Sequence, residues 1–73
     1  MDIMKKGILN KLAKQIIRYR KEIGMTQENL SRKTGISRSS IAMIETAKRD
    51  ITVSNLSKIA KAMNVTLSEL TDF

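Results

Sequence analysis

A chain of 73 residues has room for one domain with one core, since at this size only about 60% of the surface exposed by the unfolded chain is buried on folding. Apolar residues make up 41% and charged residues 29%, a globular balance and not that of a disordered chain. Cysteine and histidine are both absent, which excludes disulfide stapling, zinc held by thiolate and imidazole, and catalytic centres built on either residue. No cofactor and no metal are expected. No apolar run approaches the roughly 20 residues that span a bilayer, and Met1-Asp2-Ile3-Met4 lacks the pattern of a signal peptide, so the reading is a soluble cytoplasmic protein.

The formal net charge is +7, and it is unevenly spread. Residues 1–24 carry seven Lys or Arg against two acids, residues 25–50 five against three, and residues 51–73 two against two. A positive field over the first two thirds points to a polyanionic partner, nucleic acid or an anionic membrane surface, and composition alone leaves both open. A solvated basic face is the bland counterpart.

In chain order, residues 1–7 read as an N-terminal extension with some flexibility. Leu9, Leu12, Ile16, Tyr19 and Ile23 then recur at intervals of three and four, predicting an amphipathic helix over 8–23 with Lys11, Lys14, Arg18 and Lys21 off the apolar stripe. Gly24 supplies its stop. Thr26 is an N-cap, Leu30 the main apolar residue of a short helix over about 27–34, and Gly35 its end. Ser37 opens a third helix that must bury Ile41 and Ile44. Thr52 caps a fourth with Leu56, Ile59, Ala60 and Met63, and the pair Thr66 and Glu69 forms a capping box at the start of a short fifth with Leu67 and Leu70. Strand signals are absent. The expected architecture is a single all-α domain over 1–73, a compact bundle of five helices.

Thr26 to Glu45 holds two short helices joined by a turn around Gly35-Ile36-Ser37. Helices this short are marginal alone, so packing across the turn must hold them. A helix-turn-helix of this kind lays its second helix in the major groove of DNA while the first crosses the backbone. Burial of Ile41 and Ile44 leaves Arg38, Ser39, Ala42 and Met43 on or near the opposite face. Gln27 stands in the first turn of the preceding helix, where its amide and free backbone N–H groups can hold a phosphate. Lys48 and Arg49 follow the second helix, in reach of a DNA backbone. Arg38 stands at a helix start where a cation is unfavourable, a position that an anionic partner explains. The candidate DNA-binding set is therefore Thr26, Gln27, Ser37, Arg38, Ser39, Ser40, Met43, Lys48 and Arg49.

The run Met25-Thr26-Gln27-Glu28-Asn29-Leu30, then Gly35-Ile36-Ser37-Arg38-Ser39-Ser40-Ile41 and Ile44-Glu45, resembles the lambda-repressor and Cro-like helix-turn-helix family, the xenobiotic-response-element type. The likeness continues through Leu56, Ile59, Ala60, Val65 and Leu67 to Leu70, and covers about residues 12–70. It implies a lambda-repressor-like domain with its helix-turn-helix at about 26–45, a sequence-specific regulator of transcription in a bacterial or phage-encoded setting, associated with the nucleoid. It further implies that Gln27 meets the DNA backbone or an outer base, that Arg38, Ser39 and Met43 meet base edges, and that Arg20 and Glu45 form an internal salt bridge. Many members have Gly where Ala47 stands and Pro where Ile51 stands, so the loop after the recognition helix is expected to take another course. Ser31 replaces a frequent Ala and is expected to return its hydroxyl to the preceding turn. The short chain and the loop Lys48-Arg49-Asp50-Ile51-Thr52 are similar to the controller proteins of restriction-modification systems.

The expected partner is double-stranded DNA, bound as a homodimer on a palindrome, because one recognition helix reads only a few base pairs. Met63, Val65, Leu67, Leu70 and Phe73 are more apolar than a short terminal helix needs, and some of them are expected to supply the self-complementary patch. With no second domain, no small-molecule effector is expected. A DNA-binding antitoxin or other protein-interaction module is the alternative. A membrane-surface role for residues 5–21 is disfavoured because Tyr19 is the sole interfacial aromatic there. An enzyme is least favoured, since nothing gives a nucleophile a base or an oxyanion site.

Overall fold

The computed structural model describes residues 3–73, with side chains from Lys6 onward. Within them the chain forms five helices and no strand: α1 (Ile3–Glu22), α2 (Gln27–Thr34), α3 (Arg38–Glu45), α4 (Val53–Ala62) and α5 (Leu67–Leu70). Four of the helix starts are chemically marked. Thr26, Ser37, Thr52 and Thr66 each take an extended conformation and accept a hydrogen bond from the backbone N–H three residues on, satisfying a donor that the helix itself leaves unpaired. Thr26 with Asn29 and Thr66 with Glu69 complete reciprocal capping boxes.

α1 starts at Ile3, five residues ahead of the boundary expected from periodicity, so the segment read as an extension carries helix from residue 3; Met1 and Asp2 lie outside the described residues. Once Leu12, Ala13 and Ile16 anchor the helix, each turn upstream adds hydrogen bonds without a new nucleation cost. Ile23, expected on the apolar stripe, is 51% exposed. The helix has ended at Glu22, Gly24 turns the chain at φ +68°, and Met25 packs against the core instead. Ala13, too small to register in the stripe, is buried.

The core draws one fully buried side chain from every helix: Ile16, Leu30, Ile41, Ile59 and Leu70. Truncating any of them to alanine would cost about 2–5 kcal/mol in lost transfer free energy and cavity formation. α2 packs on both α3 and α4, α1 on α3 and α5, and α4 on α5. Met63 and Leu70, two of the five candidates for an intermolecular patch, belong to this core at 2% and 0% exposure. The C-terminal end folds back over α1. Gln15 Nε2 donates to the carbonyls of Glu69 (3.2 Å) and Asp72 (3.4 Å), and the Lys11 ammonium stands 5.5 Å from the centre of the Phe73 ring. No described helix is long and apolar enough to cross a membrane.

Candidate nucleic-acid interface

The turn between α2 and α3 is fixed by side chains of α2. Gly35 takes the left-handed conformation (φ +76°) and its N–H closes onto Ser31 O at 2.9 Å. Ser31 Oγ does not return to the preceding turn as expected; it reaches forward to Ile36 O at 2.6 Å. Ile36 O lies in the turn beyond Thr34, the last residue of α2, outside the hydrogen-bond ladder of that helix. Thr34 Oγ1 accepts from Ile36 N (3.2 Å) while donating to Leu30 O (2.8 Å), and Ile36 itself is buried. The angle between the helices is thereby set from both sides of the glycine.

α3 then divides cleanly around its axis. Ile41, Ile44 and Glu45 face inward, whereas Arg38, Ser39 and Met43 are exposed, Met43 at 43%. Thr46, the C-cap, is exposed one turn beyond Ala42 on the same outward side. The sequence reading left Thr46 out, although its i+4 spacing from Ala42 marks it. The outward face carries no acid. Lys48 and Arg49 are exposed in the loop that follows.

Glu45 is the acid of α3 and it is turned inside, 4% exposed at its side chain, against an Arg20 side chain at 11%. The contact is bidentate: Arg20 Nε to Glu45 Oε2 at 2.7 Å and Arg20 Nη2 to Glu45 Oε1 at 2.9 Å, with Nη1 spent on Met25 O at 2.8 Å. A planar guanidinium fits a carboxylate in this forked manner and a lysine does not. Gln27 adds a third arm, its Nε2 donating to Glu45 Oε1 at 3.0 Å. One carboxylate therefore ties α1, α2 and α3 together, and among the described residues no buried side-chain polar atom lacks a partner. The Gln27 tie was not foreseen; only its first-turn position was legible, and a phosphate contact would share its amide with Glu45.

Ser37 and Ser40 are joined at the other end of α3. Ser37 Oγ accepts from Ser40 N at 3.2 Å and donates to Ser40 Oγ at 2.8 Å, and Arg49 Nη1 donates to Ser40 Oγ at 2.6 Å. The loop bearing Arg49 leaves α3 through Ala47, which takes a left-handed conformation (φ +57°), with Ala47 N bonded to Ile44 O (3.1 Å) and Lys48 N to Met43 O (2.9 Å). This is the geometry that glycine usually supplies after a helix. The loop thus keeps the turn expected of glycine while using alanine.

A family model described as helix-turn-helix matches residues 16–70. The chain belongs to this family. It is 33% identical over 69 residues to the control protein C.SmaI of Serratia marcescens, a match covering 94% of this chain and 82% of that protein. Its fold superposes with a TM-score of 0.82 on the restriction-modification controller protein C.AhdI from Aeromonas hydrophila, at 29% identity over 85% of this chain and 94% of that one. A variant of the controller C.Esp1396I, solved bound to its highest-affinity operator site, gives a TM-score of 0.81 at 34% identity, covering 89% of this chain and 86% of that chain. The lambda-repressor and Cro-like resemblance and the all-helical fold class both hold, and the chain has the fold of a helix-turn-helix transcription regulator.

Proposed function

We propose that this protein regulates transcription by binding an operator in double-stranded DNA, α3 lying in the major groove and two copies of the chain reading a palindrome. The observation that carries the reading is the acid-free outward face of α3, Arg38, Ser39, Met43 and Thr46, with Lys48 and Arg49 beside it and Glu45 withdrawn into the interior. Thr26 and Ser37 cap the two helices and leave further backbone N–H groups at their starts for phosphate oxygens. The similarity to a controller solved on its operator supports the same class of partner. A cytoplasmic, non-enzymatic role goes with it.

The dimer patch shrinks once Met63 and Leu70 are assigned to the core. What remains is Phe73, 52% exposed beside Lys11, and the surface between α4 and α5, lined by Ala60, Val65 and Leu67, where Leu67 is 38% exposed and Val65 half-buried. A palindrome read by a two-fold dimer has half-sites one or more helical turns of about 34–36 Å apart, a spacing that the two copies of α3 would have to match. The test is selection of bound sequences from a randomised duplex library, combined with sedimentation of the protein on the selected DNA. A palindromic consensus and two chains per duplex are the expected result. The absence of any consensus overturns the operator reading, and one chain per duplex overturns the dimer.

A further inference from the structure

Arg49, from its place in the loop, reads as a backbone anchor like its neighbour Lys48, yet the two differ in one respect. The Arg49 guanidinium is bonded back to the recognition helix, Nη1 to Ser40 Oγ at 2.6 Å, across nine residues of sequence. The same oxygen accepts from Ser37 Oγ at 2.8 Å. A serine hydroxyl has two acceptor sites and one proton. Both acceptor sites of Ser40 are filled from within the protein, one by the N-cap and one by the loop.

We infer that Ser40 is a positioning residue, which holds Arg49 in fixed register on the first turn of α3 so that Arg49 takes part in selecting DNA sequence together with Arg38 and Ser39. This rests on the proposed DNA-binding reading and sharpens it. A loop arginine free to rotate delivers charge to any phosphate within reach and discriminates little. One fastened to the recognition helix can present its remaining N–H donors only where that helix places them, and an acceptor there must match in position. Ser40 itself is only half-exposed at the margin of the outward face, consistent with acting through its neighbour.

A double-mutant cycle on Ser40 and Arg49 tests this, using duplexes selected from a random library by the wild-type protein and a scrambled duplex as control. Ser40→Ala is expected to lower affinity for the selected duplex about tenfold, the scale of one hydrogen bond to a charged group, while leaving the scrambled duplex and the salt dependence unchanged because the cation is still present. Arg49→Ala is expected to weaken both duplexes. The double variant should then bind the selected duplex no worse than Arg49→Ala, and Ser40→Thr should restore discrimination. Ser40→Ala keeps the backbone N–H that bonds Ser37 Oγ, so its thermal midpoint should match wild type.

Multiplicative losses in the double variant, or unchanged discrimination in Ser40→Ala, would overturn the inference; the former would make Ser40 a direct contact. The link is also read without DNA, by NMR of the Arg49 guanidinium. Hindered rotation in the wild type that is released in Ser40→Ala is expected, and free rotation in the wild type overturns the positioning role. If the wild type selects no consensus, the operator reading fails while this arm still decides whether Ser40 holds Arg49.

Discussion

Gln27 and Glu45 are joined by a 3.0 Å hydrogen bond, so the first residue of α2 and the last of α3 meet on the carboxylate that Arg20 also grips. Residues on three helices converge on one buried acid. Its removal is therefore expected to be felt in the free protein, before any DNA is added.

Glu45→Ala leaves the Arg20 guanidinium, nine-tenths buried, without its counter-charge and should cost on the order of 3 kcal/mol, the scale for breaking one side of a buried ion pair. Gln27→Ala removes one hydrogen bond and should cost about 1 kcal/mol. Urea unfolding of the DNA-free proteins measures both. A Glu45→Ala midpoint equal to wild type would show that the pair does not hold the helices together.

Arg38 and Lys48 are both exposed cations at the α3 end of the molecule, but they should fail differently. Arg38 stands on the outward face, where a guanidinium can donate two parallel bonds to guanine O6 and N7; Arg38→Ala should cost about 1–3 kcal/mol on the best site and relax preference at one base pair per half-site. Lys48→Ala should weaken all duplexes alike and reduce the salt slope. Fluorescence anisotropy on specific and random duplexes separates them. Equal losses on both duplexes for Arg38→Ala would make it a phosphate anchor.

Salt itself is a sensitive probe. With roughly six to ten phosphate contacts per dimer, affinity should fall about 10³ to 10⁵-fold between about 50 and 200 mM salt. A flat response would be incompatible with a phosphate-dominated interface.

Ala47 occupies a left-handed conformation at φ +57°. That conformation costs an L-residue roughly 1–2 kcal/mol, while glycine loses about 0.5–1 kcal/mol more chain entropy on folding. Ala47→Gly should thus stabilise the protein by about 0.5–1 kcal/mol, a rise of a few degrees in Tm. A fall in Tm on calorimetry would mean that the loop gains more from alanine's stiffness than it loses in strain.

Leu67 is 38% exposed on the surface between α4 and α5. Leu67→Glu should leave the melting temperature close to wild type and shift sedimentation towards the monomer. A dimer as tight as wild type would move the interface elsewhere.

The parts of the fold that were legible in the sequence are those decided locally. Thr26, Ser37, Thr52 and Thr66 cap helices because a side-chain oxygen three residues from an unpaired N–H is a short-range event. Ile41 and Ile44 fall inside because helical spacing allows no other choice. The Arg20–Glu45 pair came from the family resemblance, since residues 25 apart in the chain leave no local trace of their contact. Partners chosen by the path of the chain stayed hidden: Ser31 reaching forward across the turn, Gln27 bonded to Glu45, and Arg49 on Ser40. Met63 and Leu70 were displaced from the interface to the core for the same reason, because whether a C-terminal apolar residue faces its own chain or another depends on where α5 docks.

The contribution of one fully buried side chain by each helix bears on how long such a protein survives in a cell. Peeling any one helix away exposes a side chain that is fully buried in the folded domain and on which its neighbours also rest, so the local opening of each carries a hydrophobic cost. A protease that needs an extended segment acts only on an opened state, so turnover of the protein would follow the free energy of the opening that exposes its cleavage site. Substitutions far from α3 would in this way set how much regulator is present, and with it the occupancy of any site it binds.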